Sequence, residues 1–126
     1  SGTAELAIEI DLGPEVISGS TRLKAGTAQK MVLNMVSTIV MVRLGKTYGN
    51  LMVDLKATNH KLRERAIRMV ELIAQVPRER AAAALASVDF DVKLASLMLI
   101  AATDRDTATS LLAAAGGRLR TALELA

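Results

Sequence analysis

Residues 13–30 read GPEVISGSTRLKAGTAQK and bring glycines, hydroxyls and three basic side chains into 18 positions. Glycine lets a backbone come close to a ligand, and hydroxyls, amides and cations hold anions. A loop of this make-up that opens a helix can cradle a phosphate. Unpaired N–H groups and the positive end of the helix dipole face outward there. The same residues also fit a solvated turn in which Thr27 is an ordinary helix cap. Lys24 and Lys30 then stand near the helix start, where the dipole disfavours cations. An anion among them would relieve that conflict, as would lysines pointing into solvent. Other chemistries find no support. The run GSTRLKAG does not match a nucleotide-binding Walker loop. With no Cys, one His and scattered acids there is no metal-ligand set and no thiolate. His60, the one histidine, has no Asp, Ser or metal partner at motif spacing and reads as surface or capping.

The elements that position this loop follow from periodicity. Residues 4–12 alternate, with Leu6, Ile8, Ile10 and Leu12 between Glu5, Glu9 and Asp11, which predicts a strand ended by Gly13-Pro14. A lone strand is not stable, so it is expected to be frayed, helical, or paired with another copy of the chain. A first helix is expected over 28–44, apolar nearly all round apart from Lys30, Asn34, Ser37 and Thr38, and stopped by Gly45. Its exposed apolar face would favour an oligomer. Tyr48-Gly49-Asn50 makes a turn before 51–55. A second helix over 58–76 has an apolar face (Leu62, Ala66, Met69, Val70, Ile73) and a basic face (Lys61, Arg63, Arg65, Arg68). Four short helices are expected at 77–87, 90–101, 104–115 and 118–125, with a cap at residues 103–106 and a break at Gly116-Gly117.

The chain has 126 residues, 51% of them hydrophobic, but Tyr48 and Phe90 are the only aromatics, so Leu, Ile, Val, Met and Ala must build the core. Many alanines and two prolines favour a mainly α fold. Net charge is +3 and uneven. Residues 1–21 hold four acids and no base, residues 22–80 hold 12 bases and four acids, and residues 81–126 hold four bases and five acids. The basic middle suits a phosphorylated ligand or an acidic partner. No aromatic–basic strand accompanies it, which argues against nucleic acid. The apolar run 31–44 is too short and too broken to span a bilayer, which needs about 20 apolar residues. The start is polar and acidic rather than signal-like. These features are expected of a cytoplasmic protein without membrane or nucleic-acid partners, and Ser1-Gly2-Thr3 reads as an added leader on a shortened chain.

Gly13-Pro14-Glu15-Val16-Ile17 with the run from Gly19 to Lys30 resembles the signature of N-acetylmuramic acid 6-phosphate etherases. The related glucokinase regulatory proteins share a looser version. The run GKTYGNLMVD at 45–54, Ala57-Thr58-Asn59, Asp91-Val92-Lys93-Leu94-Ala95 and Gly116-Gly117-Arg118 fit the same family. The resemblance implies the C-terminal part of a longer protein whose first part is a sugar-isomerase-type α/β domain. Residues 1–26 would then be a remnant strand and substrate-site loop, 27–76 long helices for packing and dimerisation, and 77–126 a small three-helix bundle similar to ubiquitin-associated domains. It implies a lyase that cleaves the D-lactyl ether of N-acetylmuramic acid 6-phosphate by proton abstraction, elimination and water addition. The family's acid and base are two glutamates of the α/β domain, and Glu5, Glu9 and Glu15 lie in the wrong motif to replace them. No catalytic residue, cofactor or metal is therefore expected here. Lys24 first, then Ser20, with Thr21 and Arg22, are the substrate-binding candidates, and a homodimer is implied. A sugar-phosphate-sensing regulatory module is the alternative reading.

Overall fold

The computed structural model describes residues 5–126. Ala4, the first residue of the expected strand, and the Ser1-Gly2-Thr3 start lie outside them. The fold is mainly α. Its elements, in order, are α1 (Lys24–Arg43), β1 (Thr47–Tyr48), β2 (Leu51–Met52), α2 (His60–Ala74), α3 (Arg78–Ser87), α4 (Val92–Ala101), α5 (Arg105–Ala114) and α6 (Leu119–Glu124). The chain divides into two compact units, Ser1–Val40 and Met41–Ala126.

In the first unit, residues 5–15 form neither helix nor strand. The alternation of Leu6, Ile8 and Ile10 has no neighbouring strand to pair with among the described residues, and an extended segment gains little without one. Ile8, Ile10 and Leu12 instead line an apolar groove of about 470 Å3 with Ala25, Ala28 and Val32 of α1. α1 begins at Lys24 rather than at residue 28, so Thr27 is inside the helix and is not its cap. No residue of α1 is buried, and Met31, Leu33, Met35, Val36 and Ile39 are all exposed. The apolar surface foreseen in the sequence is thus open to solvent.

The second unit starts with the end of α1. Gly45 N–H donates to the Val42 carbonyl at 3.0 Å and Lys46 N–H to the Met41 carbonyl at 3.1 Å. This pair of bonds closes a helix through a left-handed residue, and Gly45 supplies it with φ +69. The Arg118 guanidinium donates to the last carbonyl of the helix, that of Arg43. A Cβ on Gly45 would lie 2.6 Å from Arg118 Cγ. Gly45→Ala is therefore expected to destabilise this unit by about 1–3 kcal/mol through backbone strain and displacement of Arg118. Thermal unfolding of the variant against the parent chain measures it.

β1 and β2 form a two-residue antiparallel hairpin with Thr47 opposite Met52 and Tyr48 opposite Leu51. Gly49 takes φ +57 in its turn, a conformation that glycine adopts without cost. Local caps start the helices that follow. Asn59 Oδ1 accepts from Leu62 N–H at 2.9 Å, Asp91 Oδ1 from Leu94 N–H at 3.0 Å, and Asp104 Oδ1 from Thr107 N–H at 2.8 Å. The cap expected at residues 103–106 is thus Asp104. α4 lies at the centre and packs against α2, α3, α5 and α6. Its sequence VKLASLMLIA is apolar on nearly every side, as a surrounded helix requires. Leu97 from α4 and Leu85 from α3 are fully buried, with Val70 of α2 and Leu119 of α6 in the same core. One core therefore joins α2 to the four terminal helices. Lys61, Arg63, Arg65 and Arg68 line the exposed side of α2, as its spacing predicts.

Candidate functional site

The loop that precedes α1 is tied back on itself. Gly13 turns the chain at φ +62, and its N–H donates to Asp11 Oδ1 at 2.9 Å. The Glu15 carboxylate reaches the start of α1, where Oε2 accepts from Lys24 N–H and Oε1 from Ala25 N–H, each at 3.1 Å. Lys24 Nζ donates to the Pro14 carbonyl at 2.8 Å. Ser20 Oγ accepts from Arg22 N–H at 3.3 Å, and Gly26 N–H donates to the Thr21 carbonyl at 2.9 Å.

These contacts explain why α1 begins a turn earlier than its local sequence suggests. A helix start needs acceptors for its first N–H groups and favours negative charge. Glu15 provides both from outside the helix, a non-local cap that hydrophobic periodicity does not reveal. Lys30 consequently falls in the second turn, where the dipole acts on it less than expected.

All four predicted binding residues lie on this one short loop and helix start. Ser20 is half-buried, while Thr21, Arg22 and Lys24 are exposed. The hydroxyl of Ser20 and the ammonium of Lys24 are held by the backbone of the loop itself. The expected anion position at the first N–H groups is filled by Glu15, a residue the sequence reading set aside. An incoming anion would meet the outward-facing groups of Thr21, Arg22 and Lys24, not the bare helix end.

A second polar cluster, not foreseen in the sequence, lies in the second unit. Asp54 Oδ1 pairs with Lys93 Nζ at 3.0 Å, and Oδ2 pairs with Lys46 Nζ. Lys93, whose side chain is only 13% exposed, also donates to the Gly117 carbonyl at 3.2 Å. The end of the hairpin, the start of α4 and the turn before α6 are thereby joined. Both lysines and the aspartate sit inside GKTYGNLMVD and DVKLA. Charged residues within those runs were the available signal, but no local spacing relates them.

The hydrogen bond from Lys46, and then that from Lys93, holds the Asp54 carboxyl below its ordinary 3.8. A lowered carboxyl pKa stabilises the fold wherever the unfolded chain would also be ionised. That contribution is lost as pH falls through the lowered value. Asp54→Asn is expected to reduce stability at pH 7 by about 1 kcal/mol, the scale of partly exposed ion pairs. The gap between variant and parent should close in acid, as urea unfolding at the two pH values will show.

Asp54 also lines a groove of about 410 Å3 with Lys56, Thr58, Asp89, Phe90 and Asp91. The Arg63 guanidinium lies over the Phe90 ring at 5.1 Å, and that of Arg120 over Tyr48 at 5.5 Å. Among the described residues, no three His, Asp or Glu side chains come together as a metal site. Nor is any helix among the described residues long and apolar enough to cross a membrane.

The family model for the C-terminal lid domain of glucokinase regulatory protein matches residues 49–106, from the hairpin turn into the first turn of α5. Similarity to proteins named N-acetylmuramic acid 6-phosphate etherase extends over the whole chain. The protein of that name from Streptomyces coelicolor is 55% identical over 126 residues, which is 100% of this chain and 40% of the relative. That from Burkholderia lata is 59% identical over 120 residues, 95% of this chain and 40% of the relative. That from Rubrobacter xylanophilus is 58% identical over 116 residues, 92% of this chain and 38% of the relative. The chain therefore spans about two-fifths of the length of the curated relatives it matches.

Proposed function

We propose that the chain, which is similar over its whole length to the C-terminal part of proteins named N-acetylmuramic acid 6-phosphate etherase, belongs to that family and serves a lyase that splits the D-lactyl ether of N-acetylmuramic acid 6-phosphate. The products are N-acetylglucosamine 6-phosphate and D-lactate, and the setting is cytoplasmic recycling of cell-wall amino sugars. The observation that carries this reading is identity of 55% sustained over all 126 residues with a protein of that name. The exposed loop adds physical support, because Thr21, Arg22 and Lys24 present a hydroxyl and two cations where a charged substrate can reach them.

The reaction needs a base to take a proton, an acid to protonate the departing lactate oxygen, and water to add afterwards. Two glutamates of a sugar-isomerase-type α/β domain would supply the first two roles. Ser20, Thr21, Arg22 and Lys24 would border the pocket and hold the substrate's phosphate or carboxylate. The exposed apolar side of α1 would be covered by that α/β domain or by a second subunit of a homodimer. Residues 1–26 would complete the site, the exposed face of α1 within 27–76 would pack and dimerise, and 77–126 would form the terminal bundle together with α2.

On this division of labour the chain alone does not turn over substrate. Incubated with N-acetylmuramic acid 6-phosphate, it is expected to release no D-lactate in a coupled lactate assay, whereas a full-length etherase carrying the same sequence does. Lactate release by the 126-residue chain would overturn the division. A regulatory sugar-phosphate-binding module is the second reading, favoured by the lid-domain match over residues 49–106. Binding of a sugar phosphate by the full-length protein without lactate release would select it.

A further inference from the structure

We propose that Glu15 is a positioning residue for Lys24, fixing the loop that presents it; this rests on the substrate-binding role given above to Lys24. The geometry is a closed ring. Both oxygens of the Glu15 carboxylate accept from successive amides, Lys24 N–H and Ala25 N–H, each at 3.1 Å. From the other side, Lys24 Nζ donates to the Pro14 carbonyl at 2.8 Å. Residues 14–15 and 24–25 are thus clamped by three hydrogen bonds, with Ser20, Thr21 and Arg22 in the loop between them.

The chemistry suits Glu and no close substitute. A carboxylate has two acceptor oxygens and a charge that complements the helix start. Glutamine keeps one acceptor oxygen but presents an NH2 that cannot accept from the second amide. Alanine leaves both amides to water and frees the loop. Glu15 also sets its carboxylate on the first amides of α1. It therefore prevents α1 from acting as a general anion trap and leaves recognition to the side chains. Its role is to hold a binding group in place, with no contact to the reacting atoms.

Two measurements test this. In the 126-residue chain, hydrogen exchange followed by NMR reads the clamp directly. Glu15→Ala should lose about tenfold or more protection at Lys24 and Ala25, the scale of a lost helix cap. Glu15→Gln should lose less, and the amides of α4 should be unaffected. Unchanged protection at both positions in Glu15→Ala would overturn the proposal. In a full-length etherase carrying this sequence, Glu15→Ala should raise KM several-fold with little change in kcat. Its effect should largely vanish in a background that already carries Lys24→Ala. Effects that add in full would show that Glu15 does not act through Lys24 and would also overturn the proposal. If Lys24→Ala itself leaves KM unchanged, the binding role of Lys24 fails. The exchange measurement then decides separately whether Glu15 forms the clamp.

Discussion

Lys24→Ala in a full-length etherase carrying this sequence is expected to lower kcat/KM for N-acetylmuramic acid 6-phosphate by about ten- to a hundredfold. A hydrogen bond to a charged group is worth about 1.5–3 kcal/mol, which corresponds to that range. In the free chain the Lys24 ammonium donates to the carbonyl of Pro14, a neutral acceptor, at 2.8 Å. A phosphate or carboxylate oxygen is a stronger acceptor for a cation and can take its place. The loss should fall mainly on KM, because the groups proposed to make and break bonds lie outside this chain. Lys30→Ala is the control. Lys30 stands in the second turn of α1, beyond the Glu15 clamp, and its removal should change kcat/KM by less than about twofold, since screened surface charges contribute little. Steady-state kinetics on the two variants separates the outcomes. An unchanged KM in Lys24→Ala would withdraw the loop from substrate binding.

Leu97→Ala is expected to destabilise the Met41–Ala126 unit by about 2–5 kcal/mol, the cost of a buried leucine plus the cavity it leaves. Leu97 is fully buried on α4, the helix that the other four helices of this unit surround. Little can collapse into the gap, because neighbours on every side are held by their own helices. The matching control is Leu33→Ala on α1. Leu33 is 69% exposed, so its truncation should alter stability by no more than about 0.5 kcal/mol. Urea unfolding of both variants makes the comparison, with a lowered midpoint and an unchanged slope expected for Leu97→Ala. Equal effects at the two leucines would mean that burial on α4 does not carry the stability of this unit. A large effect of Leu33→Ala in the full-length protein, absent in the chain alone, would indicate that α1 is covered there.

Much of the second unit was legible residue by residue. The cap within residues 103–106 was readable because a cap acts on an amide three positions ahead, a distance that sequence spacing records, whereas Asn59 and Asp91, which cap α2 and α4, fell inside the helices expected over 58–76 and 90–101. The apolar face containing Ala66, Met69 and Val70 was likewise readable from the 3.6-residue period, and its basic reverse from Lys61, Arg65 and Arg68. Gly45 signalled a helix stop for the same local reason. The runs that resemble the etherase signature, read alone, pointed to the proteins of that name to which the whole chain is similar.

Three features were decided only by the fold. α1 starts at Lys24 because Glu15, nine positions upstream, caps it. Asp54 is shared by Lys46 and Lys93 because α4 comes to rest beside the end of the hairpin. Residues 5–12 alternate like a strand yet form none, since a strand exists only with a partner to bond. Each case depends on groups far apart along the chain. Periodicity and capping signals act within a turn or two of backbone, so they determine which segments coil. Which distant acceptor meets which donor is settled when those segments pack.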